Sequence, residues 1–514
     1  MTLINNYSAD NADIAELARG GRTNVIGFAL RLAGRVPFLV IAGRLYGAAA
    51  LGRMAYAVLI IECAAQLTTN GMRRGLALQF ARGDRRQVNE VFNALLVSLI
   101  IATPLILLLR EFPHVMFPNA RVDGWDLLVP FVIVPMAWTD IMLAALAYKF
   151  DVKATVNARS IVEPWTITIA ALALVPVSRG DGLIGAFALA MIAVFVAAAI
   201  PFFRTFGRPR GWRLEPRGLA RLGWENLPLS CADAIEWGSR RIDLAILGLF
   251  MHPEIVGVYY VAQQVASLPQ KLKTSFDPVL GPVMARQLQS GDRVGVAAQI
   301  NQVGYWIIAA QLGIALTLGL TANGVMGLVG PHSIFVPGTK ALSFLLAAEV
   351  MASLAVVSES ALVYVARKRN LLISVLMIAL QAAATFALMW LAPAMGWDLR
   401  WQSAGPAMVL AATLLLASIF KSSLASAVLG AKISVLRWPL VWAASAALLA
   451  GIAFRQTPEW IELAFGIPII FGIYCVVLWR FGFTVDDRVL FSRARVAPAS
   501  LSTTSLDPEM AQQL

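Results

Sequence analysis

Five charged side chains, Asp233, Glu236, Arg240, Arg241 and Asp243, stand within the apolar stretch Cys231–Gly248. A charge at the centre of a membrane helix costs roughly 2.5–3.5 kcal/mol even on the lenient insertion scale, so five of them need a reason. The i, i+3, i+7, i+10 spacing puts Asp233, Glu236, Arg240 and Asp243 on one face of a helix, with Arg241 beside that stripe. One charged face and one lipid face describe a helix lining a water-filled cavity. The competing reading is an ion-paired stripe that holds two helices together.

Further cations fall at comparable depth. Arg31 and Arg35 lie one turn apart on the first apolar run, on a face with Asn24 and Phe38, while Gly27 and Gly34 let another helix approach. No acid lies on that run to absorb them. Lys271 and Lys273 adjoin Pro269 on the eighth run. The planar fork of arginine matches phosphate oxygens and lysine adds a point charge, so these six cations converging on one cavity would hold a phosphate or pyrophosphate group. If Asp233, Glu236 and Asp243 neutralise them instead, no site remains. Among the other acids, Glu62 shares a helical face with Gln66 and Asn70, and Asp140 stands alone on the fourth run. Glu349 and Glu359 are nearly three turns apart on one face of the tenth. Together with Asp233, Glu236 and Asp243, these carboxylates are the candidates for proton or sodium coupling; for each, pairing with a cavity arginine is the alternative.

The elements that must position these residues are membrane helices. Of 514 residues 59% are hydrophobic and 14% charged, with a mean hydropathy of +0.71, which excludes an ordinary soluble domain. Apolar runs that can cross the ~30 Å hydrocarbon core recur fourteen times, at 23–44, 52–72, 91–110, 125–148, 154–176, 183–203, 223–250, 255–282, 298–320, 337–364, 371–392, 404–429, 437–455 and 460–480. Alternate connections, beginning with the N-terminus, carry 27 lysines and arginines against 8 in the other set, so both termini are expected in the cytoplasm. The formal charge of +12 thus reports topology; the basic loops are short and lack interleaved aromatics, which argues against nucleic acid.

The basic loop Arg204–Arg217 divides the chain after six runs. The expected organisation is all-α. A cytoplasmic segment 1–22 precedes an N-lobe of six helices at 23–203; a cytoplasmic linker, 204–222, leads to a C-lobe of six helices at 223–429. Two accessory helices follow at 430–483 and a disordered cytoplasmic tail at 484–514, with the two lobes enclosing a central cavity. The stretch Arg35–Tyr56 is echoed by Arg241–Tyr260 in an arginine, an apolar run, a turn and a Leu/Val-Gly-x-x-Tyr pattern, as expected of two parallel repeats.

Other chemistry is not signalled. Cys63, Cys231 and Cys475 fall inside apolar runs, and His114, His252 and His332 stand in separate loops without metal-ligand spacing. The polar, acidic stretch Asn5–Glu16 lacks the pattern of a signal peptide. There is no G-x-x-x-x-G-K loop and no D-x-D, and a literal G-x-G-x-x-G at Gly180, Gly182 and Gly185 lies in a turn with no preceding strand. Short outer loops speak against a polysaccharide polymerase or ligase. A transporter without cofactor, apart from a coupling proton or sodium ion, is expected rather than an enzyme.

Arg31-x-x-Gly34-Arg35, followed by Ala42-Gly43-Arg44-Leu45-Tyr46-Gly47 and Leu51-Gly52-x-x-Ala55-Tyr56-Ala57, resembles the polysaccharide transporters. These are the oligosaccharide repeat-unit flippases of the multidrug/oligosaccharidyl-lipid/polysaccharide (MOP) exporter superfamily. Asp243–Gly248, Val256–Ala262, Pro269 and Phe276–Pro282 are similar to the same family's seventh and eighth helices. Fourteen runs look more like the polysaccharide branch or the peptidoglycan-precursor flippases than the twelve-span multidrug exporters. The resemblance implies an undecaprenyl-pyrophosphate-linked oligosaccharide as substrate. Alternating access would turn it from the inner to the outer leaflet of a bacterial inner membrane, for exopolysaccharide, capsule or O-antigen synthesis. Membrane lipids and polysaccharide polymerase or assembly proteins are the partners so implied. A lipid II flippase and a cation-coupled exporter of small amphipathic compounds are the alternatives. Trp138 and Trp237 are candidates for stacking on sugar rings, with packing the competing role.

Overall fold

The computed structural model describes residues 30–82, 87–120, 122, 124–149, 151–274, 293–454 and 457–483. Among these the regular elements are helices, as expected of an all-α polytopic chain. Among the described residues nine helical stretches are long and apolar enough to cross a membrane: Ala48–Ala77, Gln87–Glu111, Asp126–Tyr148, Gly182–Phe206, Arg293–Leu320, His332–Val363, Arg367–Leu391, Leu399–Leu429 and Glu459–Gly482. Trp438–Phe454 is a shorter apolar helix. Helical segments at 30–46, 152–174, 216–250 and 253–274 stand where the remaining runs are expected.

In chain order α1 covers 30–41 and continues as a π-turn to Tyr46; α2 is Ala48–Thr68, α3 Met72–Arg82, α4 Gln87–Glu111 and α5 Ile133–Tyr148. The segment α6, Val152–Val156, passes through a π-helical stretch into α7, Glu163–Leu174; α8 is Gly182–Phe206, α9 Pro216–Ser239, α10 Ile242–Phe250 and α11 Pro253–Thr274. Then follow α12 Arg293–Leu320, α13 Ala322–Val329, α14 Thr339–Val365, α15 Arg367–Leu391, α16 Leu399–Leu429, α17 Trp438–Phe454 and α18 Ile467–Val477.

One end of the bundle carries Arg73, Arg74 and the 207–215 connection and is called here the basic end. The 207–215 connection is held to α4 by the Trp212 indole, which donates to Asn93 Oδ1 at 2.9 Å. At the opposite end a single hydrophobic core joins both lobes: Leu51 and Met54 of α2, Leu244 and Leu247 of α10, Val256 and Val261 of α11, and Leu342 and Leu345 of α14 belong to it. Toward the basic end the cores are separate. One is built from Met72, Leu76, Val91, Leu143 and Phe202; the other from Val296, Ile300, Val357, Leu362 and Leu429. The accessory helices have a core of their own on α12, in which Tyr474 Oη donates to the Ala309 carbonyl at 2.7 Å.

The joint between lobes is a crossing of α2 and α11. A Cβ on Gly52 would lie 1.7 Å from the Pro253 carbonyl oxygen, and one on Gly257 would lie 2.1 Å from that of Ala48. The two glycines let the backbones meet at this crossing, the small-residue packing that substitutes for hydrophobic drive in lipid. These are the glycines of the echoed Leu51-Gly52 and Val256-Gly257 pairs. Around them the N-lobe caps carbonyls of α10 and the turn after it: Tyr56 Oη donates to Ala245 O at 3.1 Å, and Asn119 Nδ2 to Gly248 O and Met251 O, each at 3.1 Å. Gly182 packs on Tyr46 and Gly185 on Trp125, so these two glycines of the G-x-G-x-x-G stretch serve close packing, whereas Gly180 has no such close neighbour.

Candidate functional site

The site begins with how α1 is held. Gly34 meets α7 closely, a Cβ there lying 3.1 Å from Pro164 Cβ, and Thr168 Oγ1 donates to the Gly34 carbonyl at 2.8 Å. Arg31 and Arg35 are both half-buried, and Glu163 and Glu62 lie within electrostatic reach of each. Arg35 also hydrogen-bonds the Tyr260 hydroxyl of α11, across the lobes. Among the described residues neither arginine forms a direct ion pair. Asn24 and Gly27 lie outside the described residues, and Phe38 is buried in the shared core.

Beside them stands a network that the sequence reading distributes differently. Asp140 does not stand alone: it pairs with Arg159, which also binds Glu163 at 3.1 Å, and Arg73 lies 4.0 Å away. Arg159 belongs to the π-helical stretch Asn157–Val162. Its signal is the i, i+4 spacing to Glu163, which suits an ion pair on a helix. Glu62 is likewise paired, with Arg241 at 3.3 Å, their side chains 23% and 29% exposed. That pair joins α2 to the seventh span, hence one lobe to the other.

The seventh span is not one helix, which corrects the single charged stripe. It ends as α9 at Ser239 and resumes as α10 at Ile242. The Arg240 amide reaches back to Trp237 O and the Arg241 amide to Gly238 O, a tightened turn in which Gly238 and Ser239 are weak helix formers. The half α9 belongs to the N-lobe. Leu219 and Leu222 lie in that lobe's core, Asp233 pairs with Arg74 at 3.3 Å, and the Asn70-Gly71 turn fits against Leu229 and Ser230. Both turn residues have positive φ, 48° and 66°, the conformation that glycine and asparagine accept most readily. Asp243, on the other half, is fully buried; Tyr259 Oη donates to it at 2.7 Å and Gln263 Nε2 at 3.3 Å.

The remaining expected residues are dispersed. Arg240 is exposed at the break and has a partner. Glu359 is taken by Lys421 of α16 at 2.9 Å, a pairing the sequence reading lacks. Glu349 is half-buried on α14 and also has a partner. The side chains of Glu236, Lys271 and Lys273 lie outside the described residues, as does the whole of Phe276–Pro282. Trp138 donates to Leu95 O at 3.2 Å and packs against Phe195, and Trp237 packs on the shared core. Among the described residues no cluster of metal-ligand type occurs.

The geometry therefore brings Arg31, Arg35, Arg159 and Arg241 together with Glu62, Asp140 and Glu163 near the seam between lobes. Arg159, Glu163 and Tyr260 are its unexpected members; only the echo of the two Gly-x-x-Tyr patterns pointed toward Tyr260.

Comparison with solved structures identifies the fold. Lipid II flippase MurJ in an inward closed conformation is 11% identical with a TM-score of 0.68, over 91% of this chain and 99% of that one. An inward-facing multidrug resistance MATE family transporter of the MOP superfamily is 12% identical with a TM-score of 0.61, over 78% of this chain and 94% of that one. A MOP superfamily transporter from Pyrococcus furiosus is 14% identical with a TM-score of 0.56, over 80% and 96%. No curated protein sequence matches. The polysaccharide biosynthesis protein family matches residues 41–312, across the first lobe, the joint and the broken span, and the chain belongs to that family.

Proposed function

We propose that the chain is a flippase that turns a lipid-diphosphate-linked oligosaccharide repeat unit from the cytoplasmic to the outer leaflet of a bacterial inner membrane, for exopolysaccharide, capsule or O-antigen synthesis. The carrying observation is that Arg31 and Arg35 stand near the seam between lobes, beside Arg159 and Arg241, with no direct ion pair among the described residues. Guanidinium groups at mid-depth are expensive unless an anion answers them, and a diphosphate offers oxygens that suit their forked geometry. Lys271 and Lys273 stand on the part of α11 nearer the basic end and extend the cationic lining in this reading. The basic end is cytoplasmic by its lysine and arginine excess, and the separate lobe cores there suit entry from that side.

The family supports the reading, because lipid-linked repeat units are intermediates of polysaccharide assembly. The MurJ likeness favours a second substrate with the same head group, the peptidoglycan precursor. A cation-coupled exporter of amphipathic compounds would call for an acidic, apolar cavity and fits these arginines less well. A proton or sodium gradient drives the cycle through Asp233, Glu236 or Glu349 in this reading; equal flipping in liposomes with no gradient would remove that part. The main test is flipping of a lipid-diphosphate-linked oligosaccharide by the purified chain in proteoliposomes. Arg35→Ala should abolish it with the protein still folded, and wild-type flipping by that variant overturns the assignment.

A further inference from the structure

The Glu62 carboxylate occupies an unusual place. It pairs with Arg241 of the broken seventh span at 3.3 Å and is within electrostatic reach of both Arg31 and Arg35 of α1. One carboxylate thus pairs with one guanidinium group and lies within electrostatic reach of two more, from two lobes, at the location assigned above to a diphosphate. Glu62 and Arg241 are each about a quarter exposed, so an arriving anion can reach them. Of the other acids, Asp140 binds Arg159 and Asp233 binds Arg74; Glu163 binds Arg159 and also lies within reach of Arg31 and Arg35, and Asp243 lies within reach of Arg241, but among the described residues Glu62 alone forms an ion pair with Arg241. Arg241 follows the Gly238-Ser239 turn, where the chain passes from the half-helix packed with the N-lobe to the half packed with the C-lobe. A change of partner at Arg241 therefore acts at the joint between the two.

We infer that Glu62 is an internal stand-in for the substrate's head group: it holds Arg241, and with it the lobes, while the site is empty, and the diphosphate displaces it on binding. This rests on the diphosphate reading above. A carboxylate offers one negative charge and a diphosphate diester two, so the exchange favours the substrate while sparing the empty site unanswered guanidinium groups. Glu62 is a positioning residue here, acting through Arg241.

The test uses the full-length purified protein and inorganic pyrophosphate, titrated by calorimetry. Glu62→Gln, which removes the competing charge at constant size, should bind pyrophosphate about three- to tenfold more tightly than wild type, the range expected for a partly exposed ion pair. Equal or weaker binding overturns the inference. A readout of the lobes accompanies it. With Cys63, Cys231 and Cys475 replaced, spin labels at Ala77 and Lys368 report the separation at the basic end. Glu62→Gln without ligand should shift that distance in the direction that pyrophosphate shifts wild type; no shift overturns the inference. Should the glutamine variant fail to fold, Glu62→Asp, which keeps the charge but shortens its reach, should show a smaller tightening in the same sense. Arg35→Ala separates the two ideas. If it binds pyrophosphate as well as wild type, the diphosphate reading fails with its dependants. If it loses binding while Glu62→Gln leaves affinity unchanged, the stand-in role alone fails.

Discussion

At the scale of single residues, the chemistry lies in which charges are answered directly and which are not. Among the described residues Arg35 reaches only the Tyr260 hydroxyl directly, and the role proposed for it, holding a diphosphate, depends on fork geometry as well as charge. Arg35→Lys keeps the charge but loses the bidentate fork, and flipping should fall about tenfold or more rather than vanish as in Arg35→Ala, measured as initial rate in proteoliposomes. Asp140 behaves oppositely. It is a structural partner of Arg159, and Asp140→Ala should lower stability by about 2 kcal/mol, between the values for exposed and buried pairs, read as a shift in thermal unfolding in detergent. The sequence reveals Arg31 and Arg35 because a run of mid-membrane length with two cations and no acid is conspicuous. It signals the Arg159–Glu163 pair through its i, i+4 spacing but cannot reveal that Asp140 serves Arg159, since that pairing crosses helices whose relative rotation is a tertiary matter.

At the scale of helices, two features set how the lobes meet. The seventh span breaks, so the helical stripe predicted for Asp233, Glu236, Arg240 and Asp243 divides between two half-helices with different neighbours. Periodicity shows which residues share a face only while the helix persists, and Gly238-Ser239 ends it. The second feature is the Gly52–Gly257 crossing. Gly257→Ala puts a methyl group where the Ala48 carbonyl now sits, so the backbones must separate; overpacking of this kind costs about 1–3 kcal/mol. Flipping and melting temperature should both fall. The control is Gly472→Ala on α18, where no atom lies within 4 Å of the added Cβ and both readouts should hold. A fall at Gly472 equal to that at Gly257 would show that the crossing has no special part.

At the scale of the whole molecule, a core shared at one end and split at the other describes two lobes hinged away from the basic end. Topology predicts which side that is. In otherwise cysteine-free protein, a cysteine at Ser178 should be labelled by an impermeant reagent in intact cells. One at Gly211 should be labelled only after lysis, and the reverse pattern would place the basic end outside. The accessory helices are anchored rather than peripheral, since Tyr305 Oη and Tyr474 Oη each donate into a buried carbonyl, at 2.8 Å and 2.7 Å. Tyr474→Phe should therefore lower stability by about 1 kcal/mol, seen as a reduced melting temperature with flipping retained.

The sequence alone determined that this chain is a polytopic helical membrane protein with an echo between its first and seventh spans and cations inside apolar runs, because apolar run length and charge placement are local quantities. Only the tertiary structure decided that the echoed glycines touch, that the seventh span is shared between lobes, and that Glu62 rather than Asp243 answers Arg241. Those outcomes depend on backbone approach and helix rotation between segments distant along the chain, and short-range spacing carries no record of them.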